Sequence, residues 1–276
     1  MTLNSKIFSI PNPKIINKKV QILDPNFISM KLHSNSSIPM ASPCLIDTLS
    51  ILYESYYALK NVKKNYKKIL TIEPHEKYIQ IGKTYHIVSS SEPHEKDIIG
   101  LIKFYSEDVI LRLFAAAEHL SNSIVFMLKI NKAELSAVKS KWSNLSIILG
   151  QYLVDKLPNN PITIGLIKLK DNPNWTKALA YRNDWIHNQP PYIEGLGVVY
   201  KRKSRWMTSS LNYYKTGKKL KIISDGGDKP DFSIDELVGL CINSYKLFFH
   251  LFTNVVDYYY RLLSDNNIDL SNNVFR

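Results

Sequence analysis

The chain has 276 residues, 45% of them hydrophobic, which suits one large globular domain with decorations and excludes a disordered or fibrous protein. Lysine and arginine outnumber aspartate and glutamate 36 to 24, so the net charge is +12 and an anionic partner is expected. Two cysteines, Cys44 and Cys241, are too few for a disulfide framework and suit reduced thiols packed in a core. No run of 18 apolar residues and no signal-like stretch in residues 1–19 is present, so the expectation is a cytoplasmic protein without a membrane partner.

Residues 1–41, rich in Pro, Asn, Ser and Lys, read as an extended N-terminal arm. The remainder, 42–276, reads as one helical domain. Its first helix opens at Ser42-Pro43, a cap followed by proline in the first turn. Leu45, Leu49, Leu52, Tyr56, Leu59, Val62 and Tyr66 recur at the helical period and form its apolar stripe. Lys60, Lys63, Lys64, Lys67 and Lys68 crowd its C-terminal end. Residues 78–81 and 84–88 flank Gly82-Lys83 and predict a β-hairpin. The run Glu-Pro-His-Glu-Lys occurs at 73–77 and again at 92–96, which suggests two similar turns around that hairpin. Its His75, Glu76, His94 and Glu95 have no ligand spacing of a known zinc type, so no metal or other cofactor is expected.

A second helix, from about Lys96 or Ser106 to Ile130, is apolar nearly all round and belongs at the centre of a bundle. A third starts at Asn131, with Glu134 at capping-box spacing, and continues to the prolines at 158 and 161. A fourth begins near Asn172-Pro173 and stops before Pro190-Pro191. The last starts at Ser233, with Glu236 three residues on, and runs to about Ser264. Between these two, residues 192–231 form a basic insert rich in β-branched and aromatic residues, with three short runs of strand character. The expected class is all-α: a bundle of about five helices with two small β-hairpin insertions.

The fourth helix carries the most informative residues. Trp175, Ala178, Leu179, Tyr181, Trp185 and Ile186 share one broad face, and Arg182 falls in its middle. A guanidinium does not lose its charge on burial, so this one must be paired or must line a wet cleft. Asn183 and His187, four residues apart, sit side by side on the flank of the same helix. His187 is near the helix C-terminus, where free carbonyls favour an imidazolium. An arginine, an amide and a titratable imidazole can together hold and cleave a phosphodiester.

The run Arg182-Asn183-Asp184-Trp185-Ile186-His187 resembles the signature of the HEPN superfamily, the higher eukaryote and prokaryote nucleotide-binding domains. That signature is Arg, a polar residue that is often Asn, a few further residues, then His. The resemblance implies a compact helical bundle and a metal-independent endoribonuclease with Arg182, Asn183 and His187 as its catalytic residues. It also implies a homodimer in which both motifs meet. A toxin–antitoxin or phage-defence setting follows, with RNA as substrate and an antitoxin or other regulatory protein as partner. The ribose 2′-OH would attack the adjacent phosphorus and leave a 2′,3′-cyclic phosphate.

A second Arg…His spacing, Arg112 to His119, fits the loose signature. Asp108 stands four residues before Arg112, in the favoured order for a helix-surface ion pair, so a structural role is the simpler reading. The resemblance offers another, that Asp108 and Arg112 are the family's supporting acid–base pair. The insert is the expected RNA path: from Gly195 to Ser224 there is no acid and there are eight basic residues. Lys201, Arg202, Lys203 and Arg205 would track phosphates, while Trp206 and Tyr213 would stack on unpaired bases. Two alternatives stand beside the nuclease: a non-catalytic HEPN-type module binding nucleic acid or nucleotide, and a helical interaction protein whose basic face meets an acidic partner.

Overall fold

The starts of the helices follow local chemistry more closely than hydrophobic periodicity. A computed structural model describes residues 9–32, 36–71, 76–82, 84–89, 91–137, 145–187, 190–196 and 230–270. Of these, 74% are helical and 5% lie in strands, so the class is all-α. In chain order the elements are α1 (Lys14–Gln21), α2 (Pro25–Lys31), a 3-10 turn (Ile38–Met40), α3 (Ala41–Ile69), β1 (Lys77–Ile81), β2 (Thr84–Ser89) and α4 (Pro93–Met127). They continue with α5 (Lys132–Ala137), α6 (Leu145–Lys156), α7 (Pro161–Lys170), α8 (Pro173–His187) and α9 (Ile234–Asp265).

Several starts are fixed by side chains that accept from the first free N–H groups. Asp24 accepts from Asn26 N at 2.8 Å, with Pro25 at the first helical position. Asn160 does the same for Ile162 N at 2.9 Å, and Asn172 for Asn174 N at 3.0 Å. At α9 the capping box closes both ways: Glu236 Oε2 accepts from Ser233 N at 2.8 Å, and Ser233 Oγ accepts from Glu236 N at 3.2 Å.

Three expectations change. The N-terminal arm is not extended over its described part: α1 and α2 bury Ile16, Val20, Leu23 and Ile28. Helices of eight and seven residues are too short to show a clear stripe, and their signal is the Asn12-Pro13 and Asp24-Pro25 starts. Pro161 does not only end the expected third helix: it follows the cap Asn160 and opens a further helix, α7. The second copy of Glu-Pro-His-Glu-Lys is likewise a helix start and not a turn, since α4 begins at Pro93. Residues 138–144 of the expected third helix lie outside the described residues, as does the expected second hairpin, within 197–229.

The chain divides into two compact units, and α3, α4, α8 and α9 each contribute residues to both. The core unit comprises Asn4–Leu59, Asp108–Leu179 and Leu240–Arg276. Its centre is Trp175, whose ring lies 4.6 Å from that of Phe114 and stacks 5.8 Å from that of Phe248. Along α9, Leu240, Cys241, Tyr245, Phe248 and Phe252 are buried, as the period requires. Helix α7 approaches α9 at Gly165, where a Cβ would lie 2.8 Å from Leu251 Cδ1. The N-terminal segment is tied to α9 by Tyr245, which donates to Pro11 O at 3.2 Å, and by Tyr260, which donates to Lys19 O at 2.6 Å.

The motif unit is built from Lys60–Glu107 and Ala180–Gly239. Val62, Tyr66 and Ile69 of α3, Ile98, Ile99 and Ile102 of α4, Tyr181 of α8, and Leu237 and Val238 of α9 are buried in it. The Tyr66 hydroxyl donates to Asp235 Oδ1 at 2.5 Å. Strands β1 and β2 pair antiparallel, Ile79 opposite His86 and Ile81 opposite Thr84, with Gly82 at φ +63° in the turn. Glu76 and Glu95, equivalent residues of the two repeats, are both buried.

Helix α4 contains an 18-residue window with mean hydropathy 1.3, long and apolar enough to cross a bilayer. Within the chain 61% of that window is buried, the situation of a core helix.

Candidate active site

The apolar face expected on α8 is divided along its length. Trp175, Ala178 and Tyr181 are buried, whereas Trp185 and Ile186 are 38% and 42% exposed. Arg182 lies at this transition and is half-buried. Its charge therefore keeps access to water, and the expected conflict between a guanidinium and a closed core does not arise within the chain. Arg182 Nη1 donates to Asn183 Oδ1 at 3.1 Å. Among the described residues Arg182 forms no ion pair. An arginine with a neutral amide as its neighbour retains donors and full charge for an anion.

The motif helix ends at His187. The His187 side chain lies outside the described residues, so only the arrangement of Arg182 and Asn183 is defined at the level of atoms.

What holds this end of α8 is a contact that no local sequence pattern singles out. The Tyr181 hydroxyl, adjacent in sequence to Arg182, donates to Glu107 Oε1 at 3.0 Å. Glu107 is also paired with Lys103, one turn back on α4. The Tyr181 ring packs 5.4 Å from that of Phe232. A buried phenol that both packs and donates fixes the rotation of α8 about its axis, and with it the direction of the next residue. An i, i+4 Lys103–Glu107 pair is legible in a sequence, but its third member, 74 residues away, is not.

The two ends of the basic insert are clamped together. Ile193 and Phe232 form a parallel bridge, Glu194 N donates to Phe232 O at 2.9 Å, and Asp231 N donates to Tyr192 O at 2.8 Å. Asp231 Oδ2 returns the bond by accepting from Tyr192 N at 2.9 Å. The Tyr192 hydroxyl donates to Leu196 O. Burial, and secondarily the charge of Glu76, pushes the Tyr192 pKa up to about 12, so the phenol stays protonated and donating. Gly195, at φ +93°, seats this corner against α4, where a Cβ would lie 2.5 Å from Ile99 Cδ1. The proposed RNA contacts Lys201, Arg202, Lys203, Arg205, Trp206 and Tyr213 lie outside the described residues.

Asp108 and Arg112 belong to the core unit. Arg112 Nε donates to Asp108 Oδ1 at 2.8 Å, and Nη1 pairs with Glu54 of α3. Hydrogen bonding to Asp108, the larger cause, raises the Arg112 pKa further. The pair thus ties α4 to α3, and His119 makes a second tie, its Nδ1 lying 3.5 Å from Asp47 Oδ2. Among the described residues no group of three or more His, Cys, Asp or Glu side chains is placed to hold a metal ion.

The chain matches no protein-family model, no curated protein and no solved structure.

Proposed function

We propose that the chain is a HEPN-type, metal-independent endoribonuclease acting through Arg182, Asn183 and His187. The observation that carries this reading is the state of Arg182: half-buried, without an ion pair among the described residues, and bonded to the neutral amide of Asn183. A structural arginine in that position would be expected to hold a carboxylate. An arginine awaiting a phosphate should instead keep its charge uncompensated.

In the proposed reaction the ribose 2′-OH gives up its proton and forms a bond to the adjacent phosphorus. The bond from phosphorus to the 5′-oxygen breaks, and that oxygen takes up a proton. His187 moves protons, and Arg182 neutralises charge on the non-bridging oxygens. Asn183 orients the guanidinium through the bond already described.

One motif supplies one histidine, and the two proton transfers favour two. A homodimer with both motifs facing one groove meets this need. The exposed Trp185 and Ile186 beside Arg182 supply apolar surface for that contact. RNA is the substrate, the setting is a toxin or phage-defence system, and an antitoxin or similar protein would restrain it.

The test is incubation of the purified chain with single-stranded RNA in excess EDTA. Cleavage with 2′,3′-cyclic phosphate ends supports the proposal. Salt-sensitive binding without cleavage would assign the chain to the non-catalytic binding modules. Neither binding nor cleavage would leave the helical interaction protein.

A further inference from the structure

The final turns of α3 present a charge array that the motif does not use. Lys60, Lys63, Lys64, Lys67 and Lys68 fall within nine residues, and no acid occurs from Asn61 to Ile72. Val62, Asn65, Tyr66 and Ile69 are buried on the opposite side, and Tyr66 is held by Asp235. At about 100° per residue the five lysines fan over about 140° of the helix surface, with Lys60, Lys64 and Lys67 along its midline. Lys60, Lys64, Lys67 and Lys68 are exposed and Lys63 is half-buried. Lys64, Lys67 and Lys68 form no ion pair among the described residues.

Compensation of the helix dipole accounts for Lys67 and Lys68 only, because that effect fades beyond the last turn. Lys60, Lys63 and Lys64 lie one to two turns further back. There they add like-charge neighbours three and four residues apart, which weaken a helix. Lys64 repels Lys60, Lys67 and Lys68, its neighbours at three and four residues, and forms no ion pair among the described residues that would offset this.

We propose that this face of α3 is a binding surface for the sugar–phosphate backbone of single-stranded RNA, built from residues other than those of the motif and the basic insert. The array runs about 12 Å along the helix, at about 1.5 Å per residue, a length that several consecutive phosphates occupy. Ammonium groups act as point charges and make no demand on base identity, so the surface holds the strand without reading its sequence. An acidic membrane surface fits less well, since Leu70 alone among residues 60–71 adds an exposed large apolar side chain. The inference rests on the proposed RNA function for its choice of polyanion.

The test uses the full chain and a 2′-O-methyl oligouridylate of about 12 nucleotides, which has no free 2′-OH and so separates binding from cleavage. The variant changes Lys60, Lys64 and Lys67 together to Ser. A control changes Lys14, Lys18 and Lys168, exposed lysines of the core unit, to Ser and removes equal charge. Circular dichroism checks that both fold. Expected is a salt dependence of log K shallower by about 2 in the α3 variant, about 0.7 per lost phosphate contact, and little changed in the control. Equal slopes in wild type and the α3 variant would overturn the proposal. So would an equal fall in both variants, or loss of binding to phosphatidylserine vesicles instead of to the oligonucleotide. If the wild type cuts RNA yet the α3 variant keeps its slope, the surface is refuted and the nuclease is not.

Discussion

Tyr181→Phe removes one oxygen and should disturb both stability and the motif. The Tyr181 side chain is 2% exposed, and its hydroxyl donates at 3.0 Å to a carboxylate whose side chain is 12% exposed. A hydrogen bond to a charged group contributes about 1.5–3 kcal/mol net. Glu107 keeps Lys103 as a partner, so the carboxylate is not left alone and the lower half of that range applies. The phenylalanine ring fills the same volume and keeps its packing on Phe232, so no cavity term is added. The expected loss is about 1.5–2 kcal/mol, read by urea denaturation, or about 3–8 °C in Tm for a chain of this size. Glu107→Gln should show coupling with Tyr181→Phe of about 0.5 kcal/mol or more in a double-mutant cycle. Activity should fall as well, because the next side chain is Arg182. Strictly additive effects, or a Tyr181→Phe protein as stable and active as wild type, would refute the idea that this bond sets the motif.

Gly195→Ala should cost about 1–3 kcal/mol, read by urea denaturation, since its Cβ meets Ile99 and its φ suits glycine. Burial pushes the Tyr259 pKa up to about 12 against 10.0 when free. The unfolded chain therefore loses this proton first as pH rises, and stability should fall between pH 10 and 12, by about 2–3 kcal/mol from this residue. Tyr259→Phe should shrink that alkaline loss while lowering stability at neutral pH through its lost bonds to Ser42 and Ile38, and an unchanged alkaline loss would reject the assignment. Mixing inactive His187→Ala chains with wild type should reduce RNA cleavage by more than dilution if two motifs share one groove. A purely proportional fall, or an active monomer in sedimentation, would remove the shared site.

Long helices were legible because a stripe such as Leu45, Leu49, Leu52 and Leu59 can be satisfied in only one way, and all four are buried. The hairpin at Gly82 and the capping box at Ser233 were legible because the conformation depends on residues within one turn. Helices α1, α2 and α7 were missed for a physical reason. Their lengths give too few repeats for a period, and the Asn-Pro or Asp-Pro pair that starts them also reads as a stop. At the candidate site the sequence named Arg182 as an oddity, yet it placed Trp185 and Ile186 in the same buried face as Trp175. Where a helix leaves its packing partner is a tertiary property, and one-dimensional periodicity does not contain it. The Tyr181–Glu107 bond is hidden for the same reason.

The proposed roles of Arg182 and His187 are tested by cleavage of single-stranded RNA by wild type, His187→Ala and Arg182→Ala in excess EDTA, with the new ends identified. Expected are 2′,3′-cyclic phosphate and 5′-hydroxyl ends from wild type, and a fall of about 100-fold or more in rate for each folded variant. A His187→Ala protein that cuts at the wild-type rate, or 3′-hydroxyl ends that require added metal, would contradict these roles.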